Sequence, residues 1–299
     1  MHPSCLEHRL TPQEREFFLT QGYLVIPQAL DAAACAELRE AAGRIDARVR
    51  TVETRTKLLS IPNIIHEHPA LVKLVDHPTT FPKIWGILGW NIYLYHSHVD
   101  VTPPADGAAL TWRVAWHQDS MRVNDEIETH PRPRLSIKIG YYLTDVSTPE
   151  RGNTLIVPGS HLQNELDCPA DGVTNPPGAE PLCVPAGGAV IIDRRIWHSR
   201  SPNLCPDTRQ VVWYGYSYRW LRPKDDMTVA HLYPQLDPIQ RQILGDGLSA
   251  NGAYDPHDGD VPLRGWLREH SPEEAEHSHH GRSQSRPPAM VRGQHLGRM

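Results

Sequence analysis

The stretch WHQDS at residues 116–120 decides the fold that we expect for this chain. If this stretch is extended, His117 and Asp119 point to one face while Gln118 points to the other. A second histidine, His198 in the stretch RIWHS at 195–199, would then reach the same point from another strand. Two histidines and one carboxylate are the ligand set of the facial triad, which holds non-haem Fe(II) and leaves coordination positions open.

The two stretches support each other, because a His-x-Asp pair alone arises easily by chance in a chain with 18 histidines. His198 is followed by SRSPN at 199–203 and then by Arg209. The alternative is that His117, Asp119 and His198 are ordinary polar residues of the surface. We favour the metal site and expect two strands to bring these three residues together.

The composition of the 299 residues excludes several classes of partner. The formal net charge of −5, without a basic run, argues against nucleic acid. No apolar run approaches the roughly 18 residues that cross a membrane. The five cysteines are odd in number and lack a C-x-x-C pair, which favours reduced thiols. We expect a cytoplasmic protein that binds neither nucleic acid nor a membrane, and the sequence leaves its oligomeric state open.

The N-terminal part of the chain carries the signals of helices. Thr11, followed by Pro and Glu, predicts a capped helix that ends at Gly22. Residues 23–27 are then predicted to form a short strand. The spacing of the apolar residues predicts a second helix over 32–48 and helical pieces within 68–88.

From residue 91 onward the apolar period changes from about 3.6 residues to 2, which indicates strands. Leu94, His96, His98 and Asp100 are expected to share one face of the first strand. Short strands separated by Gly and Pro favour a sandwich or barrel over an α/β fold. Further strands are predicted at 112–119, 135–143, 154–157, 189–193, around His198 and at 210–220.

For three features of this second half, the sequence predicts where they lie relative to the folded core. Lys138, inside the apolar strand over 135–143, is expected to point outward. Residues 121–134, polar and interrupted by prolines, are predicted to form a long loop that covers the site. Residues 271–299 are polar and are predicted to be disordered.

Five stretches, taken in their order, resemble the phytanoyl-CoA dioxygenase family of Fe(II)/2-oxoglutarate-dependent oxygenases. The resemblance covers roughly residues 10 to 225. It implies a mainly β fold with flanking helices, in which a double-stranded β-helix (a cupin-like jelly roll) over about 90–222 forms the core of a single domain at 10–268. The stretches are FF…GYLVIP at 17–27, WHQD at 116–119, GNTLIVPGSH at 152–161, PAGGAVIID at 185–193, and His198 followed by Pro202-Asn203 and Arg209.

The resemblance also implies a chemistry. Members of the family use Fe(II) and O₂ to decarboxylate 2-oxoglutarate to succinate and CO₂ while they hydroxylate a substrate. Here the iron would be held by His117, Asp119 and His198. Arg209 matches the family's arginine for the distal carboxylate of 2-oxoglutarate, which a planar guanidinium can grip with two parallel hydrogen bonds. The retained Asp119 disfavours halogenation, because the related halogenases have a small residue there.

Other contacts of the family transfer to single positions of this chain. By similarity, His98, Lys57 and the backbone of Gln118 would contact 2-oxoglutarate. One departure is Arg200, which stands where many members have a small residue, often Ser, that assists the anchoring arginine. Either a neighbouring serine takes that place, or Arg200 points outward and the anchor depends on Arg209 with other partners.

The substrate is predicted only by class, as a free small molecule rather than an acyl-CoA. His96 and Asp100 share the face of His98 and are candidates for the substrate pocket, although buried core histidines are an equal alternative. Arg122 or Arg134 is a candidate for binding a substrate carboxylate or phosphate. Hydroxylation is the first prediction for the reaction. The alternatives are desaturation, cyclisation or epimerisation at the same iron centre, or a non-catalytic metal-binding jelly roll.

Overall fold

Antiparallel strands form two sheets in the computed structural model, which describes residues 1–105, 112–247 and 251–276. One sheet has six strands in the order β1-β7-β4-β9-β3-β2, and the other has three in the order β6-β5-β8. The strands are β1 (Tyr23–Ile26), β2 (Leu59–Pro62), β3 (Ile92–Thr102), β4 (Ser136–Tyr142), β5 (Thr154–Ile156), β6 (Glu180–Pro181), β7 (Ala189–Asp193), β8 (His198–Arg200) and β9 (Arg209–Tyr218).

The predicted jelly roll is confirmed by this pair of antiparallel sheets with flanking helices. The six-stranded sheet extends beyond residues 90–222, because β1 and β2 form its two edges. The helices are α1 (Pro12–Gln21), α2 (Ala32–Val49), α3 (Pro69–Lys73), α4 (Phe81–Leu88), α5 (Met121–Glu126), α6 (Pro238–Ile243), α7 (Pro262–His270) and α8 (Pro272–Glu276). Short 3-10 helices lie at Pro3–His8, Val52–Thr54, Ile65–Glu67, Ser160–Leu162, Ala230–Gln235 and Asn251–Ala253.

The capped first helix forms as predicted. The Thr11 hydroxyl accepts a hydrogen bond from the backbone N–H of Glu14, and the Glu14 carboxylate accepts one from the N–H of Thr11. Gly22 ends the helix with a φ of 82°, in the left-handed region that glycine adopts without strain. A Cβ at Gly22 would lie 2.5 Å from the His161 ring, so this turn also needs glycine for close packing.

Helices cover one face of the six-stranded sheet, and the three-stranded sheet covers part of the other. On the helix side, the buried hydroxyls of Tyr214 and Tyr216 donate to the backbone carbonyls of Leu71 and Val75. These bonds satisfy polar groups that would otherwise be costly inside an apolar layer. Among the residues with assigned positions, no helix has both the length and the apolar character needed to cross a bilayer.

A β-bulge changes the predicted alternation of β3. Leu94 pairs with Tyr216 and His96 pairs with Gly215, so Tyr95 is an extra residue without a partner across the strand pair. Leu94 therefore packs into the helix-covered core, and the prediction that it shares a face with His96 is wrong. A Cβ at Gly215 would lie 2.8 Å from the Tyr95 ring, which explains the glycine opposite the bulge.

Two predicted segments differ from the structure near the site. Residues 112–119 do not form a regular strand, and one isolated bridge joins His117 to His198. The predicted loop at 121–134 begins with α5 instead. Asn124 of α5 is buried and accepts a hydrogen bond of 2.7 Å from the Arg194 side chain, so this part of the segment is anchored.

The start of the predicted disordered tail is ordered. Helix α8 packs against α4 and the residues after it: the Trp85 indole donates to the Glu274 carboxylate at 2.6 Å, and the Trp90 indole donates to the Ala275 carbonyl at 3.1 Å. These buried aromatic donors explain why the segment folds despite its polar sequence. The remainder of the predicted tail, 277–299, lies outside the described residues.

Candidate active site

A cavity of about 420 Å³ opens between the two sheets. Both sheets contribute to its walls, together with the segment that precedes α5. Its volume lies within the range of small-molecule sites. The lining residues used below are His96, His98, Asp100, His117, Asp119, Lys138, Thr154, Ile192, His198, Arg200, Trp213 and Lys224.

Three potential metal ligands converge at the inner end of this cavity. One ligand atom each from His117, Asp119 and His198 lies within 4.8 Å of the others. The bridge between the two histidines fixes this arrangement, because each backbone N–H donates to the other residue's carbonyl at 3.0 Å. Asp119 is held separately, as its N–H donates to the Arg194 carbonyl at 2.8 Å.

The hydrogen bonds of the two imidazoles orient them for metal binding. Nδ1 of His117 lies 2.8 Å from the Ala115 carbonyl, and Nδ1 of His198 lies 2.9 Å from the Ile196 carbonyl. Because a carbonyl oxygen can only accept, each Nδ1 carries the proton and each Nε2 presents a lone pair. Asp119 Oδ2 is buried without a hydrogen-bond partner in the described parts of the chain. These donor atoms fit a divalent iron ion.

A lysine that we predicted to point outward lies inside the cavity. Lys138 Nζ donates to Asp119 Oδ1 at 3.0 Å and lies 5.7 Å from the centroid of the Trp213 ring. Burial alone would raise the pKa of Asp119, but the charge of Lys138 and the other nearby cations hold it well below its usual range. The prediction failed because β4 lies between β7 and β9 with both faces covered, so no side chain of its middle points to solvent.

Arg209 lies beside the cavity and is nearly fully buried. Its Nη2 donates to the Thr154 hydroxyl at 3.2 Å, and its guanidinium lies over the Tyr142 ring. Its Nη1 and Nε have no hydrogen-bond partner among the described residues. A buried guanidinium with free donors beside a cavity suits an anionic ligand.

His98 and Asp100 project into the cavity from β3. The His98 ring stacks on Trp213 with an interplanar angle of 16°. Burial lowers the pKa of His98 to about 3, so the ring is neutral at pH 7. Asp100 Oδ1 lies 3.8 Å from His98 Nε2.

Arg200 also points into the cavity, so the expectation that its side chain points outward is wrong. Its Nη1 lies 3.6 Å from Asp100 Oδ2. The neighbouring serines are engaged elsewhere, because the Ser199 hydroxyl accepts from the Ala115 N–H and the Ser201 hydroxyl donates to the Asn153 carbonyl. Neither serine therefore replaces the small residue that is common at position 200 in the family.

The cavity mouth contains a further group that the sequence did not indicate. The His96 ring lies 3.4 Å from Asp225, and Lys224 lines the cavity beside it. Burial lowers the pKa of Lys224. Lys224 and Asp225 follow the last strand in a segment without periodicity, and no sequence signal directs them toward the metal ligands.

The side chains of four other candidate site residues do not line the cavity. The Gln118 amide donates to the backbone carbonyls of Gln163 and Arg195, so it points away from the cavity as its alternation with the ligands predicted. Lys57 is exposed in a turn before β2 and does not line the cavity.

Both arginines proposed for the substrate have other partners. The Arg122 side chain is 85% exposed and pairs with Glu126 on the outer face of α5. Arg134 pairs with the fully buried Asp193 at 2.7 Å and lies over the Phe18 ring, outside the cavity. Asp193 attracts Arg134 into a structural ion pair, so these positions correct the expectation that either arginine faces the substrate.

The sequence and fold identify the family. A sequence model of the phytanoyl-CoA dioxygenase (PhyH) family matches residues 18–211, and this chain belongs to that family. It is 22% identical over 236 residues to an ectoine dioxygenase of Nocardia farcinica, covering 67% of this chain and 75% of that protein. It is 25% identical over 244 residues to the dioxygenase af480 of Aspergillus fumigatus, covering 75% and 73%.

Solved structures share the fold. HygX from Streptomyces hygroscopicus, crystallised with nickel and 2-oxoglutarate, superimposes with a TM-score of 0.55 at 16% identity, covering 72% of this chain and 88% of HygX. The carbocyclase SnoK from nogalamycin biosynthesis gives 0.55 at 22% identity, covering 77% and 92%. Family membership and the triad geometry confirm the predicted dioxygenase class and its dependence on iron and 2-oxoglutarate.

Proposed function

We propose that this enzyme hydroxylates an unactivated C–H bond of a small molecule and couples this reaction to the decarboxylation of 2-oxoglutarate to succinate and CO₂. The observation that carries the proposal is the triad of His117, Asp119 and His198 in the wall of the cavity between the two sheets. Three ligands on one side leave the opposite side of the ion for 2-oxoglutarate and O₂. When bound, the iron supplies the oxidising chemistry for the substrate.

The residues of the chain have separate tasks in this proposal. His117, Asp119 and His198 would hold the ion. Arg209, supported by the Thr154 hydroxyl, provides positive charge for the distal carboxylate of 2-oxoglutarate. Neutral His98, stacked on Trp213, forms a wall of the same compartment. Because burial keeps water away from these groups, their electrostatic interactions with bound anions are strengthened.

The site supports a free small molecule as the substrate. A cavity of about 420 Å³ must hold 2-oxoglutarate as well, which leaves room for a compact substrate. His96 and Asp100 face this space and are proposed substrate-side residues. Arg122 and Arg134, two of the arginines that could have formed a phosphate-binding groove for an acyl-CoA, have partners elsewhere.

A second reaction class is supported by the fold neighbours. SnoK is a carbocyclase and SnoN is an epimerase, and both have the same fold as this chain. The reactions share the cleavage of a substrate C–H bond and diverge afterwards, so the described residues do not decide between them. We rank cyclisation, epimerisation and desaturation behind hydroxylation.

Product analysis tests the proposal. Candidate metabolites would be screened for succinate release, and the product mass would then be measured. Hydroxylation adds one oxygen atom, desaturation or ring closure removes two hydrogens, and epimerisation leaves the mass unchanged. His117→Ala should abolish succinate release, while Arg122→Ala, on the exposed face of α5, should retain it. A protein that binds iron but never consumes 2-oxoglutarate would instead be a non-catalytic binding protein.

Two further expectations belong to this proposal. All five cysteines are free thiols, which supports a reducing compartment such as the cytoplasm. We also propose that residues 10–268 act as one domain.

A further inference from the structure

Two guanidinium groups flank a single carboxylate beside the cavity. Asp100 is buried, and its Oδ2 lies 3.6 Å from Arg200 Nη1. Arg209 is opposite Thr102 on the neighbouring strand, which makes it a diagonal neighbour of Asp100 on the same face. The charges of Arg200 and Arg209 accordingly help to lower the pKa of Asp100 against the effect of burial. This group of two arginines and one aspartate therefore has one positive charge in excess.

Several donors of this group lack an acceptor. Among the described residues, Arg200 Nη1, Arg209 Nη1 and Arg209 Nε are buried without a hydrogen-bond partner. A buried donor without an acceptor destabilises the protein, and more so when it carries charge. One additional carboxylate, which brings two acceptor oxygens and one negative charge, would satisfy donors and balance the charge.

The backbone places Arg200 where a cavity ligand can reach it. Arg200 is two residues after His198 on β8, so both side chains point to the same face, toward the cavity. Across the strand pair, Arg200 is opposite Thr154, the residue whose hydroxyl accepts from Arg209. Arg209 itself does not line the cavity and lies behind Thr154. Of the two guanidinium groups, the one of Arg200 is therefore the one that lines the cavity.

We propose that Arg200 binds the distal carboxylate of 2-oxoglutarate together with Arg209, and that Asp100 is the counter-ion with which the cosubstrate competes. This inference rests on the proposed function and extends it to a residue where many relatives have a small side chain. The second guanidinium replaces the hydroxyl that would otherwise assist Arg209. Asp100 offsets the added charge, so the site accepts one carboxylate rather than two.

The proposal is tested by comparing a ligand that has the distal carboxylate with one that lacks it, in the wild type and in variants of Arg200 and Asp100. Fe(II) would be added anaerobically to the full chain, and the visible charge-transfer band of the 2-oxo acid chelate would be titrated with either 2-oxoglutarate or 2-oxovalerate. The two acids have the same carbon chain, but 2-oxovalerate has a methyl group instead of the distal carboxylate. Wild type, Arg200→Met, Arg200→Lys, Asp100→Asn and the control Arg122→Met, which removes an exposed arginine on the outer face of α5, would be compared.

Arg200→Met should raise the Kd for 2-oxoglutarate by about ten- to one-hundred-fold, the effect of losing charge-assisted hydrogen bonds. It should leave the Kd for 2-oxovalerate and the wavelength of the band unchanged. Arg200→Lys should give an intermediate Kd, because it retains the charge but not the planar fork. Asp100→Asn should tighten binding of 2-oxoglutarate, and Arg122→Met should have no effect on it.

An unchanged Kd for 2-oxoglutarate in Arg200→Met would overturn the proposal. Equal weakening of both acids would also overturn it, because that pattern indicates a disturbed iron site rather than a lost carboxylate contact. Weaker binding of 2-oxoglutarate by Asp100→Asn would refute the competing role of Asp100. If the wild type formed no chelate with either acid, the proposed function itself would fail, which distinguishes the two conclusions.

Discussion

Replacing Lys138 by methionine removes the one cation of the described residues that contacts Asp119, while retaining an apolar side chain of similar length. The Nζ–Oδ1 distance is 3.0 Å, and the two side chains are only 12% and 6% exposed. Removing one partner of a buried ion pair costs about 3–5 kcal/mol, because the other charge is left uncompensated. Since Lys138 is partly open to the cavity, we expect a value near the lower end, about 3 kcal/mol.

This cost should depend on the metal. In the metal-free protein Asp119 would be left alone in the cavity wall, whereas a bound divalent ion supplies the missing positive charge. We therefore expect Lys138→Met to lower the Tm of the metal-free protein by about 6 °C and that of the metal-loaded protein by only about 2 °C. By linkage, the difference of about 2 kcal/mol corresponds to metal affinity that is roughly thirtyfold higher in the variant.

Calorimetric unfolding with and without Co(II), an air-stable substitute for Fe(II), measures both shifts. Lys57→Met is the matched control, because this lysine is exposed and does not line the cavity. The control should change both Tm values equally and little. If Lys138→Met lowered the two Tm values by the same amount, Lys138 would not be the counter-ion of Asp119.

Three other predictions concern stability. Burial lowers the pKa of His98 to about 3, so this ring stays neutral in the folded protein while it gains a proton near pH 6.5 in the unfolded chain. The free energy of unfolding should therefore fall by about 2 kcal/mol between pH 7 and pH 5. Denaturant titrations should show a weaker pH dependence for His98→Phe. Asp193→Asn should cost about 3–5 kcal/mol at pH 7, because it leaves the buried Arg134 and Arg195 unpaired. Since these arginines lower the pKa of Asp193 in the folded protein, the cost should begin to fall only below about pH 4, where this carboxyl is protonated in the unfolded chain. It should vanish at a lower pH, where the folded protein binds the proton as well; a constant cost down to pH 2 would contradict this. Gly215→Ala should destabilise the protein measurably, because its Cβ would lie 2.8 Å from the Tyr95 ring, and a stability equal to wild type would show that the bulge adapts.

The ligand set could be predicted because alternation requires only an extended backbone, not a complete strand. Residues 112–119 lack regular strand pairing, yet His117 and Asp119 still share a side. The capped helix α1 was predictable for a similar reason, since the signals of Thr11, Glu14 and Gly22 are local.

Features that depend on distant contacts could not be predicted. The inward position of Lys138 depends on which strands flank β4, and that order is not visible in the sequence of β4 itself. The bulge at Tyr95 shifts the register by one residue without interrupting the apolar pattern. Arg134 has the same local signals as a surface arginine, and its partner Asp193 is far away along the chain.

The inward position of Arg200 was not among the alternatives that the sequence offered. Whether its side chain points inward depends on the pairing of β8 with β5 and on the buried Asp100. Once those contacts are known, the departure from the small residue of many relatives becomes a specific hypothesis about cosubstrate binding.

Anaerobic titration of Fe(II) and 2-oxoglutarate into the metal-free protein tests the central claim most directly. A visible charge-transfer band should appear in the wild type, disappear in His117→Ala and Asp119→Ala, and require a higher concentration of 2-oxoglutarate in Arg209→Ala. Arg122→Ala should behave like the wild type, because that side chain is exposed and distant from the cavity lining. A band that persists at full intensity in both His117→Ala and Asp119→Ala would show that the iron is held elsewhere.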